Sequence, residues 1–195
     1  MFTGIINHLG FFKGFRQGKQ VLVIEAPSLV SRTEVGDSLA INGICLSLIL
    51  KEKNLLSFNL SRETLALTNI GSLRPGDRLN LELPLTLQTP LGGHMVTGHI
   101  DSKGKVLKVI PRGPGARLVI SFPTKLRPYF IPKGSVAVNG ASLTIAGLGP
   151  SSFEVELIPI TLKNSNLGTL RSGDEINLEC DIIGKYVYNW MNKKK

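Results

Sequence analysis

Two cysteines and one tryptophan are all that this 195-residue chain holds of either residue. Cys45 and Cys180 lie far apart, and neither has a partner at metal-ligand spacing, which argues against a disulfide scaffold and against a structural zinc site. Both read as reduced thiols, and no metal is expected. No apolar run approaches the ~18–20 residues that a membrane helix needs, and the opening MFTGII lacks the basic region, apolar stretch and cleavage site of a secretory signal. A cytoplasmic chain with no membrane partner is the expectation. Acidic residues are also scarce, 14 against 23 Lys and Arg, for a formal charge of +9. That balance would suit a nucleic-acid binder, but the basic residues are scattered, cluster only at Lys193, Lys194 and Lys195, and have no aromatic residues interleaved with them. A solvated terminus explains the run better, and no nucleic-acid partner is expected.

What is present is a duplication, and it organises everything else. MFTGII at 1–6 returns as MVTGHI at 95–100, an offset of 94. SLAINGICLSL at 38–48 returns as SVAVNGASLTI at 135–145, an offset of 97. The offset then holds through 64–82 and 161–179, which matches Asn69, Gly71, Gly76, Asp77, Asn80 and Glu82 with Asn166, Gly168, Gly173, Asp174, Asn177 and Glu179. The boundary falls in PLTLQTPLGG, where Pro and Gly interrupt the strand pattern. The expected units are residues 1–90, residues 91–182, and a tail at 183–195.

Each copy reads as short β segments. QVLVIEA, DSLAING, ICLSLIL and DRLNLEL stand out in the first, and RLVISF, GSVAVNG, SLTIAGL, FEVELI and EINLEC in the second. Asn-Gly between strand-like runs is a strong hairpin signal, and Gly-Asp at 76–77 and 173–174 marks a turn before the last strand of each copy. So many short strands in roughly 90 residues point to a small closed barrel, which removes exposed sheet edges. RETLALTNIGSL and ITLKNSNLGTL each have room for a helical turn. After Asp181 the pattern changes, and Tyr186, Val187, Trp190 and Met191 fall on one side of a short amphipathic helix suited to self-association.

MFTGII, NGICLSL, GGHMVTGHID, KGSVAVNGASLTI, IPITL and NLGTLRSGDEINLECD, in this order and within a duplicated frame, resemble riboflavin synthase over almost the whole chain. The resemblance implies an all-β fold of two tandem six-stranded Greek-key barrels with a short C-terminal helix, and a homotrimer joined through that helix. Its active sites would lie between the N-terminal barrel of one subunit and the C-terminal barrel of the next. The implied reaction is the dismutation of two molecules of 6,7-dimethyl-8-ribityllumazine without a cofactor. The resemblance also names lumazine synthase as a candidate partner.

By the same resemblance, the lumazine-contacting positions of the N-terminal barrel are Gly4, Ile5 and Ile6, then Cys45, Leu46 and Ser47, then Asn59, Leu60, Ser61, Arg62, Glu63 and Thr64, while Phe2 packs against either the pteridine or the first barrel and is buried in both readings. Those of the C-terminal barrel are Gly98, His99, Ile100 and Lys133, then Ser142, Leu143 and Thr144, then Glu156, Leu157, Ile158, Pro159, Ile160 and Thr161. Ser47 stands where the family often has Thr. The two sets are equivalent in frame but differ in chemistry: Ile5 stands opposite His99, and Cys45 opposite Ser142.

Lumazine chemistry starts by removing a proton from the methyl group at ring position seven. It asks for hydrogen-bond donors, a proton relay near neutral pH and a dry pocket. His99 is the first candidate for proton transfer, because imidazole titrates in that range. A lone histidine is more often structural, and the TGHID context favours the site. Ser142 and Thr144 share one face of a strand by alternation, so both hydroxyls can reach one ligand; as strand residues they are otherwise ordinary. Cys45 is either a thiolate nucleophile or, more commonly, a small buried side chain. Asp181 resembles an acidic position near the family's site and equally suits a helix cap. Lys133 is read both as a contact to the neighbouring pocket and as a surface lysine.

Two rivals remain at this stage. A non-catalytic lumazine- or flavin-binding relative would be expected to lose polar residues from one copy, and here both copies keep them. An oligonucleotide-binding barrel predicts affinity that collapses with salt.

Overall fold

The computed structural model describes residues 1–192, so the three terminal lysines lie outside the described residues. Strands β1 (His8–Arg16), β2 (Val21–Glu25), β3 (Ser38–Ile41), β4 (Ile44–Glu52), β5 (Leu55–Asn59) and β6 (Arg78–Glu82) close one antiparallel barrel in the order β1-β2-β5-β4-β3-β6. Strands β7 (Ser102–Arg112), β8 (Gly115–Ser121), β9 (Ser135–Val138), β10 (Ala141–Leu148), β11 (Ser152–Leu157) and β12 (Glu175–Cys180) close the second in the corresponding ring. Helices α1 (Pro27–Val30), α2 (Arg62–Leu67) and α3 (Pro159–Asn164) are single turns or little more, and α4 (Ile182–Asn192) follows the last strand.

Alternating strands fill each barrel with apolar side chains. Phe12, Leu22, Phe58 and Leu81 are buried in the first core, and Ile120, Phe130, Phe153 and Leu178 in the second, where Phe122, Phe130 and Phe153 pack ring to ring. Three strands were not legible from alternation, and each has a physical reason. β1 is broken by Gly10 and Gly14. Gly10 lies so close under Leu81 that a Cβ would come within 2.7 Å of its Cδ1, and the register slips between Phe12 and Gly14. β7 is studded with Lys103, Lys105 and Lys108 and has its own slip between Val106 and Lys108. β5, Leu-Leu-Ser-Phe-Asn, is short and shows no alternation of polarity.

The barrels meet back to back at their Asn-Gly turns. Asn42 and Gly43 (φ 48° and 79°) link β3 to β4, and Asn139 and Gly140 (φ 45° and 80°) link β9 to β10, the positive pairs that a two-residue hairpin turn of type I′ requires. A Cβ on Gly43 would stand 2.7 Å from the Gly140 nitrogen, and the converse contact is the same. Buried asparagines stitch this contact from both sides. Asn80 Nδ2 donates to the Asn139 carbonyl and Asn177 Nδ2 to the Asn42 carbonyl, both at 2.9 Å. Their Oδ1 atoms accept from the backbone N–H groups of Asn166 and Asn69 in the opposite barrel, at 2.6 and 2.8 Å.

Helix α4 is anchored by Lys185 Nζ, 2.7 Å from Asp101 Oδ2, and by Tyr188 against Tyr129 at 5.3 Å between ring centroids. Its outer face leaves Ile183, Tyr186, Val187, Trp190 and Met191 exposed.

Gly43→Ala is expected to destabilise the fold more than Gly76→Ala. Both positions have positive φ, but only Gly43 has backbone within reach of a new Cβ. Urea titrations should separate the two by about 1–3 kcal/mol; equal losses would mean that the turns do not press on each other.

Candidate functional site

Each repeat begins with a short strap that is clamped by a glutamate at the end of its own barrel's closing strand, Glu82 in β6 and Glu179 in β12. Thr3 donates its N–H and its hydroxyl to Glu82 Oε1, both at 2.6 Å, and the Gly4 N–H donates to Oε2 at 3.0 Å. The second copy repeats the clamp: Thr97 donates twice to Glu179 Oε1, at 2.6 and 2.7 Å, and Gly98 to Oε2 at 2.9 Å. Burial pushes both carboxyls up from their ordinary range, against the pull of three donors each.

Beyond the clamp the straps cross. Phe2 and Val96 pair with each other as an antiparallel bridge, with N–H to carbonyl distances of 2.7 and 3.1 Å. The Gly4 carbonyl then accepts from the Ser142 N–H at 2.8 Å, and the Gly98 carbonyl from the Cys45 N–H at 2.9 Å. Ile6 packs on the second core and Ile100 on the first. The family-based grouping of Gly4, Ile5 and Ile6 with Cys45 is therefore corrected: the first strap meets the second barrel, and the second strap meets the first. The close approach needs glycine on a strap, because a Cβ on Gly4 or Gly98 would lie 2.6 or 2.5 Å from the Ser142 or Cys45 Cβ.

On the first barrel, alternation along β4 turns Cys45 and Ser47 outward and Leu46 into the core. The Ser61 hydroxyl caps α2, accepting the Thr64 N–H at 2.9 Å. A cavity of about 310 Å³ forms between these elements and the crossing strap, and Cys45, Glu63, Thr64, Thr68, Gly98, His99 and Ile100 line it. On the second barrel, β10 turns Ser142 and Thr144 outward and Leu143 inward, while the first strap brings Gly4.

The surroundings of the other expected site residues differ from one to the next. Leu46, Leu60, Leu143 and Leu157 are core side chains, and Phe2 is sealed between the barrels with Ala40, Val96 and Ala137. Glu156 is held by Arg117, whose Nε donates to it at 2.6 Å. Asn59, Arg62, Ile158, Pro159 and Ile160 are exposed, and Thr161 is half-buried. Lys133 is exposed and left-handed at φ 65°, at the turn position that Gly36 fills in the first copy. Asp181 sits at the start of α4 and accepts the Ile183 N–H at 3.0 Å, as a cap would. Cys180 is buried and its thiol is pushed up by that burial, which makes it a packing residue.

The residue that sequence reasoning missed is His94. It is buried at 8% exposure, its Nδ1 lies 2.7 Å from the Ser142 hydroxyl, and its N–H donates to the Thr3 carbonyl at 3.1 Å. It lies just ahead of the repeated segment, outside the motifs by which the two copies were compared.

The family model of the lumazine binding domain matches residues 3–84 and again 97–181. The riboflavin synthase of Actinobacillus pleuropneumoniae is 37% identical to this chain, covering all of it and 91% of the relative. That of Mycobacterium tuberculosis (strain ATCC 25618 / H37Rv) is also 37% identical over 98% of each chain, and that of Bacillus subtilis is 32% identical over 99% of this chain and 91% of the relative. Among solved structures, LumP complexed with 6,7-dimethyl-8-(1'-D-ribityl) lumazine superposes with a TM-score of 0.83 at 22% identity, over 92% of this chain and 99% of that one.

Burial holds the His94 imidazole below its ordinary value, opposed by the charge of Asp181. A base depressed on folding takes up its proton more readily in the unfolded chain. Its stabilisation is full above the ordinary histidine range and is lost as pH falls through the lowered folded value. From about pH 7 to about pH 5, the wild type should therefore lose more unfolding free energy than His94→Asn. Parallel losses in denaturant titrations would show that the fold tolerates a charged imidazole there.

Proposed function

Because the chain belongs to the riboflavin synthase family and carries its lumazine-binding domain twice, we propose that it catalyses the dismutation of two 6,7-dimethyl-8-ribityllumazine molecules to riboflavin and 5-amino-6-(D-ribitylamino)uracil. The observation that carries this reading is the pair of strap-completed sites with one frame and two chemistries. One presents Cys45, Glu63, Thr64 and His99; the other presents Ser142 and Thr144. A reaction that joins two copies of one substrate needs two similar cavities, and it needs them to differ, because one molecule gives four carbons and the other takes them. Holding both rings in register converts a bimolecular encounter into an oriented one, worth roughly 7–11 kcal/mol of barrier.

In this reading, His99 moves protons at the first pocket beside Cys45. Ser142 and Thr144 present hydroxyls to the ring in the second, and Asp181 supplies negative charge nearby. The working molecule is a cytoplasmic homotrimer in which the first pocket of one subunit faces the second pocket of its neighbour. The exposed apolar face of α4, with Tyr186, Val187, Trp190 and Met191, supports that assembly, since a patch of this kind on a short helix is best covered by protein.

Incubation of the purified protein with the lumazine alone should generate riboflavin absorbance with no added cofactor. His99→Ala and Ser142→Ala should each slow turnover by about 10²-fold while lumazine affinity, read by fluorescence titration, changes far less. A stable coloured complex with no product, or a strict monomer by sedimentation, would overturn the reading.

A further inference from the structure

The second strap is tied to the end of β12 on both sides of His99. Ahead of His99, Thr97 and Gly98 donate to Glu179. Behind it, Asp101 Oδ2 accepts the N–H of Cys180, the residue after Glu179, at 2.7 Å. Two carboxylates are thereby drawn to one end of β12, and the cation that meets them comes from α4. Lys185 Nζ lies 2.7 Å from Asp101 Oδ2, with side-chain exposures of 23% for the lysine and 21% for the acid. The same ammonium opposes the cost of burial at Glu179. All three charges bear on the buried Cys180 thiol, which places them around one point. The first copy has no such pair among the described residues. Asn7 stands in the place of Asp101 and is exposed, and the segment from β6 to β7 forms no helix.

We propose that Lys185 and Asp101 are positioning residues of the first pocket: through this ion pair, helix α4 holds the second strap in the place that sets His99 beside Cys45. The proposal rests on the dismutation reading, in which His99 moves protons there. It gives α4 an inner task besides its exposed apolar face.

What hangs between the two ties is part of the pocket itself. Gly98, His99 and Ile100 line the cavity of about 310 Å³ together with Cys45. The Gly98 carbonyl accepts the Cys45 N–H at 2.9 Å, and Ile100 packs on the first core. The His99 imidazole has no hydrogen bond among the described residues, and its N–H donates within the strap, to Thr97 Oγ1 at 3.3 Å. The place of the ring therefore follows the place of the ties. A largely buried ion pair is costly to break from one side, because the charge left behind has neither its partner nor full solvent. Without the Lys185 ammonium, Asp101 and Glu179 are left as like charges at one end of β12, and the strap is the element free to yield.

The test reads the strap from beneath, through Cys45. In a Cys180→Ala background Cys45 is the one remaining thiol, and its rate of modification by dithionitrobenzoate reports how firmly Gly98 covers it. Lys185→Met and Asp101→Asn should each speed that modification about tenfold and slow turnover at saturating lumazine about 10²-fold. The asparagine still accepts the Cys180 N–H and loses the ion pair alone, so it probes the pair without cutting the tie. The double variant should go no further than either single one, and Lys185→Arg, which keeps the charge, should restore both rates. Unchanged thiol rates in the folded single variants, effects that add in the double one, or lower urea stability without faster modification would each overturn the proposal. Should the unsubstituted protein form no riboflavin from the lumazine, the dismutation reading fails, while the thiol rates still decide whether α4 holds the strap.

Discussion

Two buried carboxylates, Glu82 and Glu179, hold the architecture of both sites. Each gathers three donors from the start of a repeat into one clamp, and each clamp fixes the point from which a strap sets out for the opposite barrel. The direction of that departure decides which backbone carbonyl meets Ser142 and which meets Cys45. The clamps sit far enough inside that ionising them works against burial, and the three donors offset that cost. An amide in place of either carboxylate would set an NH₂ group against a strap N–H, so the acid at these positions is a matter of hydrogen-bond polarity as well as of charge.

The asparagine network at the barrel contact does the complementary work. Strap crossing requires the two barrels to keep one relative orientation, and an apolar contact would allow them to slide. Side-chain amides reaching across to opposite backbone groups can be satisfied in one arrangement only. Asn42, Asn80, Asn139, Asn166 and Asn177 all take part, and the positive φ of Asn42 and Asn139 places their carbonyls where Asn177 and Asn80 can reach them.

The fold was legible because duplication doubled the signal. Asn-Gly, Gly-Asp and the alternating strands each occurred twice in register, and the duplicated motifs carried the resemblance that named twin barrels. The exchange of straps was not legible, because repeat alignment is silent on whether a segment returns to its own barrel or to its twin. Gly4 and Gly98 read as motif residues, and only their approach to Ser142 and Cys45 reveals why a side chain is excluded there. Strands β1 and β7 escaped notice because their glycines and lysines serve close packing and solvent at once. Alternation turns the side chains of Leu46, Leu143 and Leu157 into the cores, which leaves their backbone to face a ligand. His94 escaped because it lies just ahead of the repeated segment, outside the motifs that the two copies share.

The crossing of the straps bears on how such a molecule could arise. A half-length ancestor with this strap would leave its pocket open by itself and would close it only by pairing with an identical copy about a two-fold axis, each lending its first residues to the other. Identical partners force identical pockets. Joining the two copies in one polypeptide releases that constraint, so that isoleucine can stand on one side and histidine on the other.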